Sequence, residues 1–206
     1  MSLKHLARDE RLDLAAFLET LEPSQWDTPT LCEGWRVRDV VAHMISYDEL
    51  DTRGVLRRFA KGKFLLGRIN DIGVAEYVAR SPEDLIALLR KYAEPRGFTT
   101  GFGCRLALTD AMIHQQDIRR PLGLPRQIPG ERLLPVLSFA RFAPPIRGFV
   151  HARGVRLIAT DLDWSFGSGP DVRGTAEALL MAMAGRRGVV GALSGPGQHI
   201  MARRLG

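Results

Sequence analysis

LALTDAMIHQQDIRRPLG, Leu106 to Gly123, is the stretch that decides how this chain is read. Asp110, His114 and Asp117 recur at i, i+4 and i+7, so on a 3.6-residue period they share one helix face. Leu106, Ala107, Met112, Ile113 and Ile118 supply the apolar remainder, and Pro121 with Gly123 stops the helix. A carboxylate and an imidazole one turn apart can hold a divalent metal ion, as the paired histidines of H-E-x-x-H do. One helix seldom supplies enough ligands, and the best third candidate is His43. A hydrogen-bonded histidine of the core or surface is the other reading of that residue.

Working outward, residues 3–21 carry Leu3, Leu6, Leu12, Leu14, Phe17, Leu18 and Leu21 at mostly helical spacing, which predicts a first amphipathic helix ended by Pro23. Residues 23–36 hold two tryptophans, two prolines and a glycine, the make-up of a packed loop. A second helix is expected from Val37, with one stripe running through Val40, Val41, Met44 and Ile45 to Val55, Leu56 and Phe59. Asp39 near its start suits the positive end of the helix dipole. Residues 60–71 read as a connection and Ile72–Ala79 as a short helical piece. Ser81-Pro82-Glu83-Asp84 opens a third main helix, with Ser as N-cap, Pro at the first position and acids in the first turn. Leu85, Leu88, Leu89 and Tyr92 carry it to about Ala93. With Leu106–Gly123 as the fourth, the pattern predicts a four-helix bundle over residues 1–125. Bundles place metal sites on inward-facing positions of neighbouring helices.

Past Gly123 the texture changes. Residues 126–150 read as a turn-rich linker and one helix from Glu131 to Phe142. Residues 151–206 read as a small α+β segment: two short strands in GVRLIATDLDWSFG, a helix over Thr175–Ala184 capped by Gly185, and a last helix near Gln198–Leu205. The fold class expected is therefore mainly α, a bundle followed by a small α+β C-terminal segment.

The 206 residues are 45% hydrophobic and 25% charged, ordinary for a globular protein. No apolar run nears the ~18 residues of a membrane span. The N-terminal stretch MSLKHLARDERLD is charged from its fourth residue, unlike a secretory signal, and a cytoplasmic location is expected. Cys32 and Cys104 make no disulfide framework and lie in no C-x-x-C pair, so they are expected to be free thiols, with Cys104 buried. Neither is expected to serve as the thiol of a metal-assisted reaction. The net charge of +6 is scattered among acids. A nucleic-acid footprint would need a dense basic stripe with interleaved aromatics, so no nucleic-acid partner is expected. A small anionic molecule agrees better with that charge. An exposed apolar helix would allow a homodimer, and nothing in the sequence demands one.

TPTLCEGWRVRDVVAH, ending on His43, resembles the N-terminal signature of the mycothiol-dependent maleylpyruvate isomerase family, a branch of the DinB-like four-helix bundles. Asp110-x-x-x-His114-x-x-Asp117 resembles its second signature, and DLDWSFGSGPDVRGTAEALLMAMAGRRGVVGALSG its C-terminal segment. The resemblance runs over nearly the whole chain. It implies that His43, Asp110 and His114 are the metal ligands and that zinc is the ion. The family more often has Glu where Asp110 stands; Asp is one methylene shorter, which bears on how tight the site is and which metal it prefers. Asp117 either orients a ligand histidine or pairs with Arg120 at i+3. Arg186 matches a family arginine that faces the metal cleft, where it would hold a carboxylate of the substrate or of the thiol; its other reading is a helix C-terminal cap.

Two imidazoles and a carboxylate leave zinc one open position, the pattern of a catalytic site. The resemblance supplies mycothiol as the thiol cosubstrate. Its thiolate would add to an electrophilic carbon of an acidic substrate of the maleylpyruvate type. Elimination after rotation would make the enzyme an isomerase; release of the adduct would make it an S-transferase. The alternative is a helical bundle that binds metal or thiol without catalysis. Trp35, Arg96, Phe98 and Phe102 are the loop residues expected either to set specificity or simply to pack.

Overall fold

The computed structural model describes residues 1–206, which divide into two compact units, Met1–Pro125 and Arg126–Gly206. The first unit is helical, apart from one isolated backbone bridge between Pro29 and Arg36. Helix α1 (Leu3–Leu18) starts on Ser2, whose hydroxyl accepts from the His5 N–H at 3.3 Å. It buries Leu6, Leu14, Phe17 and Leu18. Helix α2 (Val37–Ser46) starts where Asp39 accepts from the Arg36 N–H at 2.9 Å, and its stripe of Val37, Val40, Val41, Met44 and Ile45 is buried.

The continuous helix expected from Val37 to Phe59 is two helices. Helix α2 ends at Ser46, and α3 (Thr52–Lys61) starts afresh on Asp51, whose carboxylate accepts from the Gly54 N–H at 2.7 Å. The apolar stripe does not cross the break: Leu56 is 64% exposed, and the buried side chain of α3 is Arg58. Helix α4 (Leu66–Ala75) begins inside the expected 60–71 connection, after a turn in which Lys63 and Phe64 take left-handed conformations, φ 52° and 58°. Helix α5 (Pro82–Lys91) has the expected start, with Ser81 Oγ accepting from the Asp84 N–H and the Asp84 carboxylate from the Ser81 N–H.

Helix α6 (Arg105–Leu122) begins at Cys104 and ends at Gly123, both left-handed. Pro121 does not end it; it sits in the last turn. A helical residue at 121 would donate to the carbonyl of Asp117, four back, and proline has no N–H to give. That carbonyl accepts instead from the Leu31 N–H at 3.1 Å, so the proline opens a docking point for a loop distant in sequence.

Helices α1, α2, α5 and α6 pack in a ring, α1 and α2 each against both α5 and α6. Leu14, Leu18, Val41, Ile45, Leu89 and Ile118 meet in one core between them. The same unit buries an ion pair. Arg11 Nη1 donates to Asp48 Oδ2 at 2.9 Å and to the Tyr92 carbonyl at 2.6 Å, while Thr99 Oγ1 donates to Asp48 Oδ1 at 3.0 Å.

The second unit begins with α7 (Gly130–Ala140), the helix expected from Glu131 to Phe142, which packs on α9. A single turn, α8 (Gly148–His151), leads to a three-stranded sheet of β1 (Arg156–Ala159), β2 (Ser165–Gly167) and β3 (Asp171–Gly174), in the order β2-β1-β3. Strand β1 pairs antiparallel with β2, Leu157 opposite Phe166, and parallel with β3, Leu157 opposite Val172. Two strands were expected and β3 is the third. To reach it the chain passes the start of β1 through Gly167 and Gly169, where a Cβ would lie 2.4 Å from the Val155 carbonyl oxygen and 2.5 Å from that of Gly154. Helix α9 (Ala176–Met183), capped by Thr175, covers the sheet, and α10 (Gln198–Leu205) closes the chain. No helix is long and apolar enough to cross a membrane.

Candidate metal centre

Helices α2 and α6 are neighbours in the ring, and each turns polar side chains toward the other. His43 lies one helical turn from Val40 and Ser46, and both neighbours are buried. Asp110 and His114 stack one turn apart on α6, as their spacing predicts. The donor atoms of His43, Asp110 and His114 all fall within 4.8 Å of one another. Asp110 Oδ1 lies 3.7 Å from His43 Nε2 and 3.4 Å from His114 Nε2. The two rings are 4.9 Å apart, edge to face. Both histidines are buried, whereas the Asp110 side chain keeps 31% of its surface, so the centre is open at its carboxylate.

The donor set fits a divalent metal. Those separations exceed the ~2.7–2.9 Å of a charge-assisted hydrogen bond. Two donors each about 2.0–2.2 Å from a tetrahedral zinc stand roughly 3.3–3.6 Å apart, close to what the site shows. The two imidazoles are pushed in opposite directions. Burial lowers the pKa of His43, aided by the charges of His114 and Arg58 and opposed by Asp110. Burial would also push the Asp110 carboxyl up, yet the two imidazoles hold it well below the usual carboxylate range. His114 is raised well above an ordinary imidazole: Asp110, Cys32 and Asp117 together outweigh its burial.

The two histidines are held differently. His114 Nδ1 meets Asp117 Oδ2 at 3.0 Å, and Asp117 is fully buried. Asp117 thus faces the imidazole on its own helix, and Cys32 Sγ donates to the same carboxylate oxygen at 3.1 Å. Cys32 Sγ also stands 3.6 Å from His114 Nδ1. Cys32 therefore stands beside the candidate site, a place that its position in the loop did not suggest. Cys32 belongs to a second group of possible ligands, with His114 and Asp117. His43 instead has no hydrogen-bond partner at its buried Nδ1 and is wedged between rings: Trp35 at 5.0 Å and Tyr47, edge-on, at 5.9 Å.

Beyond His43 the wall continues outward. Tyr47 donates to Asn70 Oδ1 at 2.7 Å and stacks on Phe98 at 5.6 Å. The Arg58 guanidinium lies 5.2 Å from the centre of the Tyr47 ring and donates to Ser46 Oγ at 3.0 Å. Arg58, which also pairs with Glu76 Oε2 at 2.5 Å, therefore brings a buried guanidinium to the side of His43. Of the loop residues expected to set specificity, Trp35 and Phe98 lie along this wall. Arg96 covers the Tyr92 ring instead, and Phe102 is 67% exposed. Arg186, in the second unit, follows Gly185 and donates from Nη1 to the carbonyl of Ala184, the residue that ends α9, at 3.3 Å.

Residues 7–98 match the family model described as the mycothiol maleylpyruvate isomerase N-terminal domain. His43 and Cys32 lie inside that match, Asp110 and His114 beyond it. The chain is similar in structure to a crystal structure of the mycothiol-dependent maleylpyruvate isomerase, with a TM-score of 0.59 at 13% identity, over 95% of this chain and 92% of that one. A crystal structure of a histidine-to-alanine mutant of the mycothiol-dependent maleylpyruvate isomerase is similar over the same shares, with a TM-score of 0.58 at 12% identity. At such identities the likeness establishes the fold. No curated protein sequence matches the chain significantly.

Proposed function

We infer, for a chain whose N-terminal unit belongs to the mycothiol maleylpyruvate isomerase N-terminal domain family, that His43, Asp110 and His114 hold one divalent metal ion, zinc by preference. The reaction proposed is isomerisation of, or transfer to, a small electrophilic acidic substrate, with mycothiol as the nucleophile. One observation carries this reading: two imidazole nitrogens and a carboxylate oxygen from adjacent helices converge, with the carboxylate side open.

The metal, when bound, would lower the pKa of a coordinated thiol so that it is a thiolate near neutral pH. The chain's own residues set up the rest. His43, kept neutral by burial, offers the Nε2 lone pair. Asp117 keeps a proton on Nδ1 of His114, which leaves Nε2 free to ligate. Trp35 and Tyr47 exclude water from the back of His43. Arg58, paired with Glu76 Oε2 at 2.5 Å, holds Tyr47 and Ser46 in place on that side. Arg186 is assigned to a carboxylate of the substrate or the thiol, as the planar guanidinium suits.

The test is the metal content of the purified protein by elemental mass spectrometry, beside His114→Ala, together with mycothiol-dependent conversion of maleylpyruvate. About one zinc per chain, lost in the variant, and turnover only with thiol present support the reading. Metal without any thiol reaction would leave a binding protein. Absence of metal from the wild type, even after zinc is added back, would overturn the reading.

A further inference from the structure

We propose that Cys32 is a positioning residue for His114 and acts through Asp117; this rests on the metal-site reading above. The loop that carries Cys32 docks on Asp117 twice. Its main chain docks through Leu31 N–H, which donates to the Asp117 carbonyl that Pro121 leaves without a helical donor. Its side chain docks through the Cys32 thiol, which donates to Asp117 Oδ2 at 3.1 Å. The same Oδ2 faces His114 Nδ1 at 3.0 Å. A buried carboxylate oxygen that accepts from both a thiol and an imidazole is held against rotation, and it fixes the proton of His114 on Nδ1.

The loop is built to bring the thiol there. Thr30 Oγ1 accepts from the Cys32 N–H at 3.1 Å and donates to the Trp35 carbonyl at 2.9 Å, and the Trp35 N–H closes back on the Cys32 carbonyl at 3.0 Å. Gly34, at φ 80°, turns the chain between them, a conformation that favours glycine. The same short loop sets Trp35 against His43 and Cys32 beside His114, so it faces both imidazoles at once. Direct ligation of the same ion by Cys32 does not fit. The thiol lies beside Nδ1, whereas Asp110 and His43 converge on Nε2, at another corner of the ring.

The test is a cobalt(II) titration of the metal-stripped full chain, read by visible absorption and by competition with zinc, for wild type, Cys32→Ala, Cys32→Ser and Asp117→Asn. Removing an outer partner of a ligand histidine typically weakens metal binding about 10- to 100-fold. Asp117→Asn is expected within that range, and Cys32→Ala at its lower end with a shifted cobalt spectrum. Cys32→Ser, whose hydroxyl can donate to the same oxygen, is expected to restore both affinity and spectrum. Thermal unfolding of each variant separates these effects from misfolding. Wild-type affinity and spectrum in Cys32→Ala would overturn the proposal. So would a thiolate-to-cobalt charge-transfer band in the wild type that disappears in Cys32→Ser, since Cys32 would then be a ligand. If the wild type takes up no cobalt or zinc, the metal reading fails on its own account. The positioning is then read in the metal-free protein from solvent exchange of the His114 Nδ1 proton. Faster exchange in Cys32→Ala than in wild type and Cys32→Ser upholds it, and equal rates overturn it.

Discussion

The helical unit buries two clusters of charged side chains, and they are built on opposite plans. Around Asp48, both carboxylate oxygens are taken: Arg11 holds one and Thr99 the other, and Arg11 also reaches the Tyr92 carbonyl. Arg11 and Asp48 are 1% and 4% exposed, so that cluster is closed to solvent. Around Asp110 the partners are two imidazoles at 3.4 and 3.7 Å, the carboxylate keeps a third of its surface, and His43 has a buried nitrogen with no partner. A closed cluster ties helices together. Arg11 Nε in the closed cluster also lacks a partner, so what separates the two is access: a cluster that stays open has room and donors left for something the chain does not itself provide.

Removing one member from each cluster tests that contrast, and the largest loss of stability belongs to the closed one. Asp48→Ala leaves a buried guanidinium unpaired and is expected to cost about 3–5 kcal/mol in urea unfolding. A loss below about 1 kcal/mol would mean that the cluster is not what ties α1 to the segment after α2. Asp110→Asn is expected to do the reverse, weakening zinc binding by more than about a hundredfold. The metal-free stability should fall by less than in Asp48→Ala, since the Asp110 side chain is part-exposed and His114 can release its proton when the carboxylate is lost. If Asp110→Asn unfolds the protein and Asp48→Ala does not, the two roles are exchanged. Thr99→Val takes one donor from Asp48 and should cost about 1–3 kcal/mol, leaving zinc affinity unchanged.

The smallest effect concerns Tyr47, on the wall beside His43. Tyr47→Phe loses the bond to Asn70, worth about 0.5–1.5 kcal/mol. Burial pushes the Tyr47 hydroxyl up to about 12. Between pH 10 and about 12 the folded protein keeps a proton that the unfolded chain has released. Stability therefore falls as the pH rises through that window, and urea midpoints at pH 9 and 11 should show less of this fall in Tyr47→Phe than in wild type.

Elements defined by local chemistry were legible in the sequence. Ser81, Pro82 and Asp84 announce α5 within four residues, and the spacing of Asp110 and His114 puts them on one face of α6. What was hidden depends on partners far along the chain. The apolar stripe from Val37 to Phe59 reads as one helix, because Asp51 as a cap and Asp48 as the partner of Arg11 interrupt it through contacts that periodicity does not carry. Strand β3 is four residues long, with a glycine and two charges, and gains its identity from lying beside Leu157. Periodicity does not single out Cys32, because its side-chain contacts are with Asp117 and His114, more than 80 residues away. Arg58 sat in a basic run whose other members face solvent, and burial alone sets it apart.

His43 and Asp110 lie on helices separated along the chain by α3, α4 and α5, roughly seventy residues, a long loop to close. The entropy of closing such a loop must be met before the contact repays it, so we expect this contact to form late in folding. An ion seated there arrives when most of the unit is already assembled, so it does little to hasten folding. Its leverage falls on the reverse step, because an interaction absent from the transition state slows unfolding almost by its full strength. In a cell, the gain from loading this site would be lifetime: a protein that opens more rarely and offers itself less often to proteases.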